Sequence, residues 1–261
     1  MRDVLSMSAV VPPPRTAGGL LPTRTLTRVE DGERLHALLW RAGAGWRMIS
    51  SAVLGGGLGE RAWVLNAQVA HGYRRTDPHR HLADLARAAG VSGPGVGVMT
   101  AADVRAHRRA HDGGVEAVVT AGIAVRGWAA VPAEAVITPD QPGTINIVAA
   151  VPVPLTDAAL VNAVATATEA KVQALLSAGY DCSGTPTDAV CVAARTPDAA
   201  QDVQAFAGPR SLWGARLARA VYAAVRAAVV DATAGRPATA TGGVCRVAAP
   251  GNLCSEWKKN G

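Results

Sequence analysis

The stretch SSAVLGGGLGERAWVLN, residues 50–66, decides between two architectures. An apolar run from Met48 to Leu54 feeds a cluster of glycines, and Gly57-Leu58-Gly59-Glu60-Arg61-Ala62 satisfies the G-x-G-x-x-[GA] pattern of a dinucleotide-binding loop. Such a loop must open a helix, so that the first N–H groups of the helix face a pyrophosphate. The chain instead continues as RAWVLNAQV, whose Trp63, Val64 and Leu65 read as a second strand. The acid that would bind a ribose falls at Asp77, inside the turn TDPH. The spacing therefore predicts a strand–loop–strand segment, its glycines allowing close backbone approach to another segment or to a ligand. A nicotinamide-dependent oxidoreductase remains the alternative, and it requires a helix after Gly59.

Further strand-like runs fall at 35–39, 47–54, 63–69, 95–100, 115–124, 144–151 and 189–193. Helices are expected at 81–89, 157–177 and 212–230. The second has Thr156 as N-cap and Gly179 just past its end, and Ser211 opens the third. Many strands with few long helices predict an α+β fold, a mixed or mostly antiparallel sheet with helices packed on it, in a single domain. Residues 1–30 and 232–261 are rich in Pro, Gly, Thr and Ala without periodicity and are expected to be poorly ordered tails, leaving a body at 31–231.

Composition removes several function classes. The net charge of +6 is carried almost wholly by Arg, with Lys only at 171, 258 and 259 and no basic block interleaved with aromatics. A nucleic-acid groove is therefore not expected. The best candidate for a membrane span, Val115–Ile137, is broken by Arg126 and Pro132, and VVPPPR interrupts any leader-like layout. Cys182, Cys191, Cys245 and Cys254 form no C-x-x-C pair, so free thiols and a cytoplasmic setting are the simplest reading.

Among candidate chemical groups, HGYRRTDPHRH places His71, Asp77, His79 and His81 together. Pro78 starts a helix, on which residues two apart diverge by about 200°. A solvated turn is expected there, and no metal. In 157–177, Asn162, Thr166, Glu169 and Gln173 fall on one polar stripe, with Val161, Val164, Thr168, Val172 and Leu175 on the apolar one. Lys171 borders the apolar stripe in a body that otherwise uses Arg, a hint that a compact ammonium is needed. Asp188 and Asp103 sit beside predicted strands after small hydroxylated residues, as do Thr100, Thr144 and Asn146. No G-x-S-x-G motif or Ser–His–Asp set is readable, so a hydrolase here would use water activated by a carboxylate.

ISSAVLGGG, VLNAQV, GVGVMTAAD, PGTINIV, ALVNAVATATEAKVQAL, GTPTDAVCVA and AGPRSLWGARLARAVYAAV occur in that order. Together, across about residues 47–229, they resemble the adenosylcobinamide amidohydrolase family of corrinoid salvage enzymes. The resemblance implies hydrolysis of the amide joining the aminopropanol arm to the corrin ring, in cobinamide salvage for coenzyme B12 synthesis. The products would be adenosylcobyric acid and 1-amino-2-propanol. The cobalt corrinoid is then the substrate and no separate cofactor is expected; a homo-oligomer is compatible with this reading. Amide hydrolysis needs a base, an oxyanion donor and an acid for the leaving amine. Glu169 is the first candidate for the base, Lys171 or Arg216 for charge stabilisation, and Asp188 and Asp103 are reserve acid/base groups. Ser50, Ser51, Gly55, Gly56, Gly57, Asn66, Thr100, Thr144, Asn146, Thr168 and Arg216 are the candidate substrate contacts. The alternatives are a non-catalytic corrinoid-binding module and a self-processing amidase with Thr100 or Thr144 as nucleophile.

Overall fold

The computed structural model describes residues 19–131, 143–198 and 202–234. The chain opens with β1 (Thr23–Glu30), β2 (Glu33–Arg41), β3 (Trp46–Ser50), β4 (Gly57–Glu60) and β5 (Trp63–Gln68), followed by α1 (Pro78–Ala88) and β6 (Val96–Thr100). A single 3-10 turn (Val104–Ala106) leads into β7 (Arg108–Asp112), β8 (Val115–Gly122) and β9 (Thr144–Pro154). The remaining elements are α2 (Asp157–Ser177), β10 (Ala189–Arg195) and α3 (Leu212–Ala234). The predicted strands and helices all appear, some with shifted ends. β1, β4 and β7 were not expected.

The strands form two sheets, ordered β1-β2-β5-β6 and β4-β3-β10-β9-β8-β7. Antiparallel pairs dominate; only β5–β6 and β9–β10 are parallel. The sheets pack face to face through Leu38, Trp40, Val64, Val96 and Val98 against Met48, Val118, Val148 and Cys191. α1 covers the outer face of the small sheet through Leu82 and Ala86, and α2 and α3 cover the outer face of the large one. This layering explains why β2 and β9 read as continuous apolar runs: each is buried on both faces. The α+β reading holds, in two sheets rather than one.

Local signals behave as the chemistry demands. Thr156 Oγ1 accepts from the Ala159 N–H at 3.1 Å, capping α2. The helix stops where Gly179 takes φ +85°, with Tyr180 N–H returning to Leu175 O and Gly179 N–H to Leu176 O. Ser211 Oγ caps α3 through the Gly214 N–H at 3.1 Å. The buried side of α2 differs from the expected stripe. Ala159, Leu160, Ala163, Thr166, Ala167, Ala170, Lys171, Ala174 and Leu175 are buried, whereas Val161 is 59% exposed and Thr168 faces solvent. Small alanines let the helix lie close to its neighbours, so the alanine face turns inward with Leu160, Thr166 and Leu175, while Val161 and Thr168 turn out.

Residues 19–30 correct the expected tail boundary, because β1 pairs along its whole length with β2. The two strands join through Asp31 (φ +51°) and Gly32 (φ +82°), a tight hairpin turn that needs both residues left-handed. The expected tails at 1–18 and 235–261 lie outside the described residues. Among the described residues no helix is long and apolar enough to cross a membrane.

The glycine segment is strand–loop–strand. Gly57 and Gly59 lie inside β4, which pairs antiparallel with β3, and β5 comes next. A helix does not follow Gly59, so the dinucleotide alternative fails. The loop between β3 and β4 instead crosses to the small sheet, where Leu54 and Gly97 exchange backbone hydrogen bonds of 3.3 and 2.9 Å.

Candidate active site

The space between the sheets turns polar at one end. Side chains two apart along a strand share a face, and on six strands the inward series ends in a polar residue. Trp40 and Leu38 lead to His36, Val64 to Asn66, and Val96 and Val98 to Thr100. On the large sheet Val118 leads to Thr120, Val148 to Asn146 and Thr144, and Trp46 and Met48 to Ser50. All of these polar residues are buried. They gather because β3, β5, β6 and β8 end here while β2, β9 and β10 begin here. Below Asn66 the sandwich holds a cavity of only about 20 Å³.

Two asparagines tie the sheets together. Asn66 Nδ2 donates to Thr120 Oγ1 at 2.9 Å, and Asn146 Nδ2 donates to both Asn66 Oδ1 and Met99 O at 3.0 Å. These bonds fix the orientation of the Asn146 amide, since flipping it would set oxygen against two acceptors. Asn146 Oδ1 is left buried without a hydrogen-bond partner, alone in this among the described side chains. An orphaned buried acceptor costs about 1–3 kcal/mol. Such an acceptor calls for a donor, a water or an N–H.

An ion pair joins α2 to the segment that leads into β10. Lys171, on the inward face of α2, donates from Nζ to Asp188 Oδ2, and the two side chains are 9% and 11% exposed. Asp188 also accepts from Ile145 N–H at 2.8 Å, Thr185 Oγ1–H at 2.5 Å and Thr185 N–H at 3.2 Å. So crowded a carboxylate is a clamp for the ammonium rather than a free base. Gly184 is required here: a Cβ on it would overlap Asp188 Oδ2 and stand 2.6 Å from Lys171 Nζ. The Gly184 segment is held from above by a bridge to Gly127.

The hydroxyls divide by where their protons go. Thr187 Oγ1 donates to Gly143 O at 2.9 Å, so Thr144 must donate its own proton to Thr187 Oγ1, 2.6 Å away. Ser50 Oγ donates to Val190 O at 3.0 Å, and Ser51 Oγ accepts from Val190 N–H at 3.1 Å. These three hydroxyls are latches. Thr100 Oγ1 accepts from Ala102 N–H at 3.1 Å and carries no acceptor for its own proton among the described residues.

The remaining sequence candidates are scattered. Glu169 is exposed on α2, two residues from Lys171 and hence on the opposite face, with no hydrogen bond or ion pair among the described residues. Thr168 is also exposed and its hydroxyl returns to Val164 O at 2.9 Å. Asp103 caps the 3-10 turn through Arg105 N–H at 2.9 Å, and the Arg105 guanidinium holds its carboxyl below the usual carboxylate range. Arg216 lies over the Trp213 ring at 4.6 Å and against Gly113, in the turn that starts β8, at the far end of the sheet from Thr120. Gly55 (φ +67°) packs its α-carbon against Gly95 O, and Gly56 packs against Ala52 O; Gly57 (φ +79°) borders open space. The structure thus gathers Asn66, Thr100, Thr144, Asn146 and Ser50 at one end of the interlayer, pairs Lys171 with Asp188 ahead of β10, and leaves Glu169, Thr168 and Arg216 outside.

Sequence reading missed His36, Thr120 and Gly184. His36 and Thr120 stand within apolar runs, and the usable signal was strand alternation carried to its last inward position. It also misread His81. His71 and His79 are exposed as expected, but His81 is 3% exposed and bonds Tyr73 Oη and Glu30.

The polar end of the interlayer, together with the Lys171–Asp188 pair that joins α2 to the start of β10, is the candidate site. The family model described as adenosylcobinamide amidohydrolase matches residues 22–237, and the chain belongs to that family. It is 31% identical over 183 residues to the adenosylcobinamide amidohydrolase of Methanosarcina mazei, covering 68% of this chain and 87% of that protein. It is 32% identical over 219 residues to the adenosylcobinamide amidohydrolase of Halobacterium salinarum, covering 81% of this chain and 90% of that protein.

Proposed function

We propose that the protein hydrolyses the amide between the aminopropanol arm and the corrin ring of adenosylcobinamide, releasing adenosylcobyric acid and 1-amino-2-propanol. The reaction would serve salvage of incomplete corrinoids. Family membership supports the reaction class, and the observation that carries the site is the buried, unpartnered Asn146 Oδ1 at the polar end of the interlayer.

Amide hydrolysis then runs with His36 taking the proton of the attacking water and returning it to the leaving amine nitrogen as the C–N bond breaks. Asn146 Oδ1 receives an N–H of the scissile amide or an O–H of the attacking water and so sets its orientation. The Lys171 ammonium stabilises the oxyanion of the tetrahedral intermediate, where a low-dielectric setting makes it effective. Asp188 positions Lys171. The proton acceptor is His36: Nδ1 pairs with Thr27 Oγ1 at 3.1 Å, and with Nδ1–H donating there the Nε2 lone pair is free. His36 occupies the inward position next after Leu38, which pairs with Asn66, about 7 Å along the strand. This assignment replaces Glu169 as base, because Glu169 faces solvent.

The test is incubation of the purified chain with adenosylcobinamide and mass spectrometry for adenosylcobyric acid. Corrinoid bound but unchanged would overturn the hydrolase reading in favour of a binding module.

A further inference from the structure

A second concave site lies outside the interlayer, between the β1–β2 hairpin and the loop after β5. Its cavity of about 330 Å³ is lined in part by Glu30, Asp31, Leu35, Ala70, Tyr73 and Arg74. That volume is at the lower end for small-molecule sites.

The wall is held from behind by a buried histidine. His81 Nε2 lies 2.9 Å from Glu30 Oε1, and Nδ1 lies 3.0 Å from Tyr73 Oη. One neutral tautomer satisfies both contacts: Nε2–H donates to the carboxylate and Nδ1 accepts the phenol proton. Arg28 Nε donates to Glu30 Oε2 at 2.8 Å, fixing the other oxygen. Tyr73 lines the cavity with its hydroxyl held by His81 Nδ1 and one ring face stacked on the imidazole, centroids 5.6 Å apart.

Charge accounting narrows the ligand. Glu30 is matched by Arg28, and Arg75 is matched by Asp77 through two bonds of 2.9 Å. Asp31 and Arg74 remain, each without a side-chain hydrogen bond or ion pair among the described residues, and their charges cancel. A site with no net charge disfavours a phosphate or a free carboxylate. A carboxylate matches vicinal hydroxyls as it does a ribose, and a guanidinium and a phenol ring stack on a planar base. Leu35 and Ala70 supply apolar floor.

We propose that this cavity is a nucleoside subsite, with Asp31 accepting from the ribose hydroxyls and Tyr73 and Arg74 flanking the base. This rests on the proposed function, under which the nucleoside is the adenosyl group of the corrinoid. Ala70 lies four residues beyond Asn66 on the same extended path, roughly 13 Å away. One corrinoid with an axial nucleoside bridges such a span.

Calorimetric titration of the full chain with adenosine and with 2′-deoxyadenosine tests the subsite without relying on turnover. Saturable adenosine binding is expected, about tenfold or more weaker for 2′-deoxyadenosine and for Asp31→Asn, as loss of a bond to a charged group predicts. Asn tolerates the left-handed φ of +51° at this position, so the turn persists. Arg74→Ala, at an exposed position, is expected to weaken adenosine as well. No saturable heat at millimolar adenosine, or unchanged affinity in Asp31→Asn and Arg74→Ala, overturns the subsite. Corrinoid turnover is scored separately. Hydrolysis without adenosine binding removes the subsite alone; adenosine binding without hydrolysis of any corrinoid removes the hydrolase reading alone.

Discussion

Lys171 and Asp188 form an ion pair that joins α2 to the start of β10, and three further donors fix the carboxylate from its other sides. Removing one partner is therefore asymmetric. Asp188→Asn leaves a buried ammonium without its counter-charge, a loss of about 3–5 kcal/mol. Lys171→Met leaves Asp188 with its backbone and Thr185 donors and should cost less. Denaturant unfolding of the two variants checks the order. Lys171→Met, folded, is expected to lower hydrolysis of adenosylcobinamide about 10²–10³-fold, as for loss of an oxyanion donor.

Asn146 holds two acceptors with one amino group and leaves its oxygen for a guest. Asn146→Ala strands Asn66 Oδ1 and Met99 O in the interlayer, each costing about 1–3 kcal/mol unless water enters. Thermal melts should show this loss. If the oxygen orients substrate, turnover of the remaining folded protein falls as well; unchanged turnover would remove the Asn146 role.

The glycine loop separates two kinds of glycine. Gly55→Ala imposes a Cβ on Gly95 O at φ +67°, and neither backbone can yield cheaply. An overpacking loss of about 1–3 kcal/mol is expected on top of the conformational cost of a left-handed φ. Gly57→Ala has φ +79° but meets open space, so only the conformational cost of about 1–2 kcal/mol applies. Equal losses in the two variants would show that close approach to β6 is not what the loop's glycines serve.

The fold was legible where local signals were strong, as at Thr156 and Gly179 around α2, and where glycines met a following strand. β1 was not legible because TRTLTRVE alternates Thr and Arg with few apolar residues, as suits an edge strand. The face of α2 was misjudged because alanine carries little pattern. That error also moved the site: Glu169 looked central only while Lys171 seemed marginal. Asn66, Asn146 and Asp188 were found as polar residues at strand ends, but their meeting depends on two sheets facing each other. Neither spacing nor composition encodes that pairing, and His36 and Thr120 become visible only with it.

Cys191 lies opposite Ser50 in the large sheet and is buried, and desolvation pushes its thiol up to about 12 from a usual value of 9.0. A raised folded-state value means the folded protein keeps this proton where the unfolded chain releases it. The contribution to stability is complete below pH 9 and is lost as pH rises from 9 toward about 12. Within that window the group adds a slope of up to about 1.4 kcal/mol per pH unit. Cys191→Ala removes that slope while costing packing at all pH values. Unfolding free energies measured from pH 8 to 11 should converge between variant and wild type as pH rises. Parallel curves would show that Cys191 ionises as readily folded as unfolded. Alkylation mapped by peptide mass gives a second readout: at pH 8 Cys191 should label at the rate of unfolding, not at the rate of a free thiol.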